Sequence, residues 1–217
     1  TCFGGAGSSS AEMVTGWAPG GVPNRIQPDM GLRIRKGSVF VRQVHYNLQK
    51  YQGQGDRTTV ELELASTPPP YRLMLAPIAN PDGLSIKAGD AEAEQTIPVP
   101  GQLLMQYLRI PEVVITSVTP HMHTLGTSTT TTVDGQTLVE LPRWDFHWQQ
   151  AYMFQSPVAV RSNQLIMVTC TWDNSYANQP VVNGQKQMPR DVSWGEGTLD
   201  EMCVTFLGLR IPRVMSP

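Results

Sequence analysis

The sequence predicts an all-β protein, an antiparallel jelly-roll β-sandwich with one complete domain preceded by the end of a second. Three observations carry that prediction. Glycine (19) and proline (18) are spread along all 217 residues, as expected where many turns separate short strands. No long apolar pattern with the 3.6-residue period of a helix occurs. Short alternating runs occur instead, with abundant threonine, a β-branched residue suited to a pleated sheet.

In chain order, Val39–Leu48 is the first expected strand. "TVELELA" (Thr59–Ala65) follows, with Val60, Leu62 and Leu64 on one face and Thr59, Glu61 and Glu63 on the other. "STPPPY" (Ser66–Tyr71) ends the run, because proline cannot donate to a central ladder. It sets the boundary between residues 1–67, the C-terminal part of a first domain, and residues 68–217, a second domain. In the second domain, strands are expected at Gln102–Arg109, Glu112–Val118, His121–Val133, Thr137–Leu141, Leu165–Trp172 and Cys203–Ile211. Asp134-Gly135 between two of them is a type I′ hairpin signal. Asn174–Asp191 is polar, contains proline, and reads as a long loop.

Composition narrows the function classes. Charged residues make up 16% and the net charge is −2, with no basic tract able to follow a phosphate backbone, which argues against nucleic-acid binding. No run of about 18 apolar residues is present, so no helical membrane span is expected. The chain opens at Thr1 without an initiator methionine or an apolar leader, and reads as a processed or excised form. Its three cysteines are Cys2, Cys170 and Cys203. Cys170 and Cys203 can bridge two strands across the long loop, worth about 4 kcal/mol in a loop-entropy model, which implies an oxidising compartment. Cys2 is then left for a partner elsewhere, in a segment upstream.

The chemistry concentrates in "TPHMHTLG" (Thr119–Gly126), which holds two of the four histidines. On a strand, His121 and His123 would present two imidazoles on one face. Two nitrogens are an incomplete metal site, and their spacing fits zinc and copper alike. The alternative is a pair of exposed strand histidines. His45, in "QVHYN", reads as a hydrogen-bonded strand residue or as a ligand, and His147, in "WDFHWQ", as packed or hydrogen-bonded. Met202, in "GTLDEMCVTFLGL", either packs at a strand start or, as a ligand, selects soft Cu(I).

"WAPGGVPNRI", "QVHYN", "TPHMHTLG", "WDNSYAN" and "WGEGTLDEMC" occur in that order over almost the whole chain. Together they resemble the ascorbate-dependent type II copper monooxygenases, the family of peptidylglycine α-hydroxylating monooxygenase and dopamine β-monooxygenase, and most closely its bacterial branch. The resemblance implies two jelly-roll domains, each holding one copper. It assigns the catalytic copper to His121, His123 and Met202. It assigns His45 to the second, electron-supplying copper, whose other ligands form a His-His pair well upstream. This sequence has no His-His dipeptide, so the chain reads as the C-terminal part of the two-domain core, and an upstream segment would carry the missing pair and a partner for Cys2.

The implied function is hydroxylation of an aliphatic C–H with O2, using electrons from ascorbate or a similar donor, in a secreted, periplasmic or extracellular protein. The peptide-hydroxylating branch holds a terminal carboxylate with an arginine, an asparagine and a tyrosine; the corresponding positions here are Thr119, Val204 and Phe206. No cation is left there for a carboxylate, so peptide C-termini are not expected as substrates. The rival readings are a non-catalytic copper-binding or structural β-sandwich module, and a zinc-binding jelly roll in which Met202 has no role.

Overall fold

The computed structural model describes residues 11–18, 20–22, 25–44, 46, 53, 55 and 57–213. In chain order, β1 (Met30–Gly31), β2 (Tyr71–Ala79), β3 (Ser85–Ile86) and β4 (Ala93–Pro100) precede helix α1 (Gly101–Leu108). There follow β5 (Val113–His121), β6 (Gly126–Val133), β7 (Gln136–Leu141), β8 (Tyr152–Val160) and β9 (Leu165–Trp172). The last are β10 (Val181–Val182), β11 (Gln185–Lys186), β12 (Val192–Ser193) and β13 (Val204–Pro212).

Two sheets face each other across one core, so the molecule is an all-β sandwich. The larger has strand order β1-β2-β13-β5-β8 and the smaller β4-β9-β6-β7. Two minor pairs, β12-β3 and β10-β11, lie outside them. Val113, Ile115 and Val118 of β5 and Leu207 and Leu209 of β13 meet Ile166, Val168 and Trp172 of β9, all at 1% exposure or less. Burying each such side chain is worth about 1.5–3 kcal/mol. The sheets are also joined covalently: Cys170 in β9 is bonded to Cys203, just before β13, with Cα atoms 5.9 Å apart.

β5, β7, β9 and β13 lie where they are expected, within a few residues. Asp134 and Gly135 both adopt positive φ (47° and 78°), the type I′ conformation. Most of Asn174–Asp191 is loop, interrupted only by the short hairpin β10-β11. Besides the two-residue strands, three long strands went unanticipated: β2, β4 and β8. Each carries internal proline (Pro77, Pro98, Pro157), which argues against a strand. The topology resolves this. β4 and β8 are sheet edges, and β2 is an edge beyond Arg72, where β1 stops. Proline is tolerated on an edge and blocks further pairing there.

Other expectations are corrected. Gln102–Arg109 is not a strand but most of α1. Leu, Met and Gln are good helix formers, and Leu104 and Leu108 lie one turn apart against the core. Arg109 closes the helix in the left-handed conformation (φ 54°). His121–Val133 is not one strand: β5 ends at His121, residues 122–125 turn, and β6 starts at Gly126. Of Val39–Leu48, the described residues 39–44 and 46 form no strand, nor does Thr59–Ala65. Val39, Phe40, Val41, Val60, Leu62 and Leu64 are exposed. An alternating run is held as a strand only by a partner strand and an opposing apolar layer, and neither meets these runs among the described residues. By contrast, Met30–Gly31 pairs in parallel with Tyr71–Arg72 and extends the larger sheet.

Candidate metal centre

His121 is the last residue of β5 and His123 lies in the turn that follows. The turn does what a continuous strand was expected to do: the two rings stand side by side, centroids 5.1 Å apart and nearly perpendicular. Met122 between them points into the core and is fully buried. Gly126 is required just beyond, because a Cβ there would lie 2.9 Å from Trp144 Cδ1 and 3.0 Å from Met122 Cε.

Each imidazole is held through Nδ1. Gln149 directs its Oε1 at His121 Nδ1, 2.7 Å away, and donates from its Nε2 to the Phe146 carbonyl at 2.8 Å. The second bond fixes the orientation of the amide, so Oε1 accepts and His121 Nδ1 carries the proton. His123 Nδ1 donates to the Asp200 carbonyl at 2.9 Å. In its neutral form each ring then keeps its lone pair on Nε2, the tautomer a metal ligand needs. Burial, partly offset by the Gln149 hydrogen bond and reinforced by neighbouring His123, pushes the His121 pKa down to about 4. His121 is thus neutral at physiological pH. The His123 ring also meets Phe146 edge-on, centroids 6.1 Å apart.

The residues preceding β13 are drawn against this turn by Glu201, whose carboxylate is fully buried. Oε1 accepts from Leu125 N–H at 2.7 Å. Oε2 accepts from His123 N–H at 2.9 Å, the Trp172 indole at 3.0 Å and Met202 N–H at 3.3 Å. Burial raises the carboxyl to about 7 against the opposing pull of these donors. Trp144 completes the cradle, donating its indole N–H to the His123 carbonyl at 3.0 Å. One residue beyond the bridged Cys203, Val204 stands opposite His121 in the β5–β13 register, and Phe206 stands opposite Thr119. Met202 therefore sits on the strand approach that lies alongside both histidines.

Among the described residues, no three His, Cys, Asp or Glu side chains come together in a way that could hold a metal. The groups that do converge are two imidazoles, a pair that suits copper and zinc alike, with the Met202 backbone alongside. His147 is apart from this set, exposed, with Nδ1 3.6 Å from Asp145. His45 and Cys2 lie outside the described residues.

Residues 105–209 match the family model for copper type II ascorbate-dependent monooxygenase, C-terminal domain. Over those residues the chain is similar to that C-terminal domain. No curated protein matches the chain. The matched segment runs from within α1 to near the end of β13, and includes His121, His123, Met202 and the Cys170–Cys203 bridge. The groups that orient the two histidines were not identifiable from sequence. Gln149 follows a tryptophan in an irregular stretch ahead of β8, and only the folded chain brings it to His121. Glu201 left one signal, the acidic pair Asp200-Glu201 at the head of an apolar strand.

Proposed function

We propose that the chain is the catalytic part of a copper monooxygenase. In this reading His121 and His123 bind one copper through Nε2 and Met202 binds it through sulfur. When bound, the copper supplies the O2 chemistry by which an aliphatic C–H is hydroxylated, with electrons from ascorbate or a similar donor. The single observation that carries the reading is the convergence of 200–204 on 121–125: the Asp200 carbonyl and Glu201 carboxylate both hold His123, and Val204 pairs with His121. Around that centre, Gln149 and Asp200 orient the rings, Glu201 and Trp144 fix the turn, and Phe146 limits the access of water on the His123 side.

The rest of the assignment follows from the same reading. His45 serves a second, electron-supplying copper whose His-His pair lies in an upstream segment, which also supplies a partner for Cys2. Residues 1–67 belong to that first domain, 68–217 form the second, and both take the jelly-roll form of the sandwich. The bridged cysteines fit a secreted, periplasmic or extracellular setting. The second reading is a non-catalytic copper-binding or structural β-sandwich module, and an upstream segment with or without a His-His pair discriminates between the two.

The test is metal analysis with X-ray absorption on the reduced protein. One copper per chain with nitrogen and sulfur scatterers is expected, and the sulfur should vanish in Met202→Ile. Zinc, or copper without sulfur, would sink the assignment. Ascorbate-driven O2 consumption by the full-length protein separates the enzyme from the passive module.

A further inference from the structure

The groups that hold the two histidines are held in turn by different parts of the chain. His123 leans on the Asp200 carbonyl, beside the buried Glu201 carboxylate. His121 leans on Gln149, which lies in residues 142–151, a stretch between β7 and β8 that forms no strand. Around Gln149, Trp148 N–H donates to the Asp145 carbonyl at 2.9 Å and His147 N–H to Asp145 Oδ1 at 2.8 Å. Gln149 Nε2 donates to the Phe146 carbonyl. These bonds shape a turn but lie inside it, and do not fix it against His121. Holding irregular backbone in one geometry costs conformational entropy, so a support from outside the turn is needed to keep Gln149 opposite the ring.

The N-terminal segment supplies that support. Gly21 N–H closes a tight turn on the Ala18 carbonyl at 2.9 Å, with Gly20 at φ 82°, a conformation that favours glycine. This turn packs backbone to backbone on the one that carries Gln149. A Cβ on Gly20 would lie 2.6 Å from the His147 carbonyl oxygen and 2.9 Å from Trp148 Cα. Gln150 then clasps the segment with both ends of its amide: Nε2 donates to the Gly20 carbonyl, and Oε1 accepts from Val22 N–H at 3.3 Å. Further on, Gln27 Nε2 donates to the Phe154 carbonyl of β8 at 2.9 Å, and Met30 of β1 pairs with Tyr71 of β2. β8 and β1 are opposite edges of the larger sheet, so the segment is anchored at both.

We infer that Gln150, clasped by Gly20 and Val22, is a positioning residue for His121. Gln149 and Gln150 are neighbours, so tying the Gln150 side chain to the N-terminal segment fixes the backbone from which Gln149 reaches the ring. Groups that orient a ligand's ring and tautomer tune its hold on a metal, and here the support extends one residue and one segment further out. The stretch "WAPGGV" (Trp17–Val22), which supplies no ligand, thereby orders one histidine and not the other. The inference rests on the copper reading above only for what the ordered ring serves.

The test uses the full chain, metal-free, with proton–nitrogen nuclear magnetic resonance of the imidazoles. Gln150→Leu removes both bonds of the clasp. The His121 Nδ1 proton should then exchange with water about tenfold faster or more, and its ring should divide between two tautomers. His123, whose support the clasp does not touch, should be unchanged. Gly20→Ala disturbs the same contact from the other side and should give the same signature. The double variant should exceed the stronger single one by no more than about twofold, since one contact is lost in all three. Copper affinity, by competition with a chelator, should fall in Gln150→Leu by less than the roughly 10- to 100-fold expected on losing Gln149 itself. An unchanged His121 proton in both single variants would overturn the inference. So would equal changes at His121 and His123, the mark of general loosening. The copper reading fails separately, if His121→Ala takes up copper like the wild type, and the metal-free result is untouched by that failure.

Discussion

Replacing Glu201 with glutamine probes the junction on which the candidate centre depends. Its two oxygens receive four N–H donors, three of them at 3.0 Å or less, from Leu125, His123 and Trp172. A carboxylate accepts at both oxygens; an amide accepts at one and donates at the other. If the amide oxygen takes the Oε2 position, it satisfies His123, Trp172 and Met202, and its NH2 then faces the Leu125 N–H. One buried donor is left unmet beside another donor, at a cost of about 2 kcal/mol. Glu201→Ala would orphan all three close donors and open a void, for about 4 kcal/mol or more. The assay is denaturant unfolding with the disulfide intact, alongside amide exchange at His123 and Leu125. For Gln, a loss of about 2 kcal/mol, or roughly 4–8 °C in Tm, should accompany faster exchange at Leu125. A Gln variant within about 0.5 kcal/mol of wild type, with Leu125 exchange unchanged, would refute the hub.

Further outcomes follow from the same contacts. Gln149→Leu removes the acceptor that fixes the His121 tautomer, and copper affinity measured by competition with a chelator should fall about 10- to 100-fold with little change in unfolding midpoint. Cys170→Ser with Cys203→Ser opens a bridge of sequence separation 33, and chemical denaturation should show a loss of about 4 kcal/mol. Asp191 accepts from Lys87 Nζ at 2.8 Å and Ala88 N–H at 2.9 Å, which holds its carboxyl below the ordinary range. A depressed native pKa means the unfolded chain takes up the proton first, so this contribution is present above the ordinary carboxylate range and lost as pH falls through the native value. Asp191→Asn should flatten that acid limb of the stability curve, and an unaltered limb would contradict it.

Legibility in the sequence followed the physics of each element. β9 was readable because its alternation reflects one buried face, and β13 because it is a continuous apolar run bounded by turns. The edge strands β2, β4 and β8 were hidden by the prolines that suit them to an edge. α1 was misread because a short, mostly apolar run looks the same as a buried strand. Thr59–Ala65 alternates well yet forms no strand, since alternation states a preference and pairing must supply the rest. At the site, His121, His123 and Met202 were visible as residue types in motifs. Gln149, Asp200 and Glu201 reach them through a contact made only by the folded chain, a backbone carbonyl and a buried carboxylate, none of which leaves a spacing to read.

The three consecutive residues Glu201, Met202 and Cys203 have a mechanical consequence. On one side of Met202 the chain is clamped to the histidine turn and to Trp172 by hydrogen bonds; on the other it is covalently tied to β9. The backbone of Met202 is a stiff mount between two fixed points. Its side chain has three rotatable bonds and a polarisable end. Compliance at this position is thus confined to the thioether arm: the sulfur can swing to follow a change in what it touches while its own amide stays still. Nuclear relaxation should register that contrast as a mobile Met202 methyl on a rigid Met202 amide.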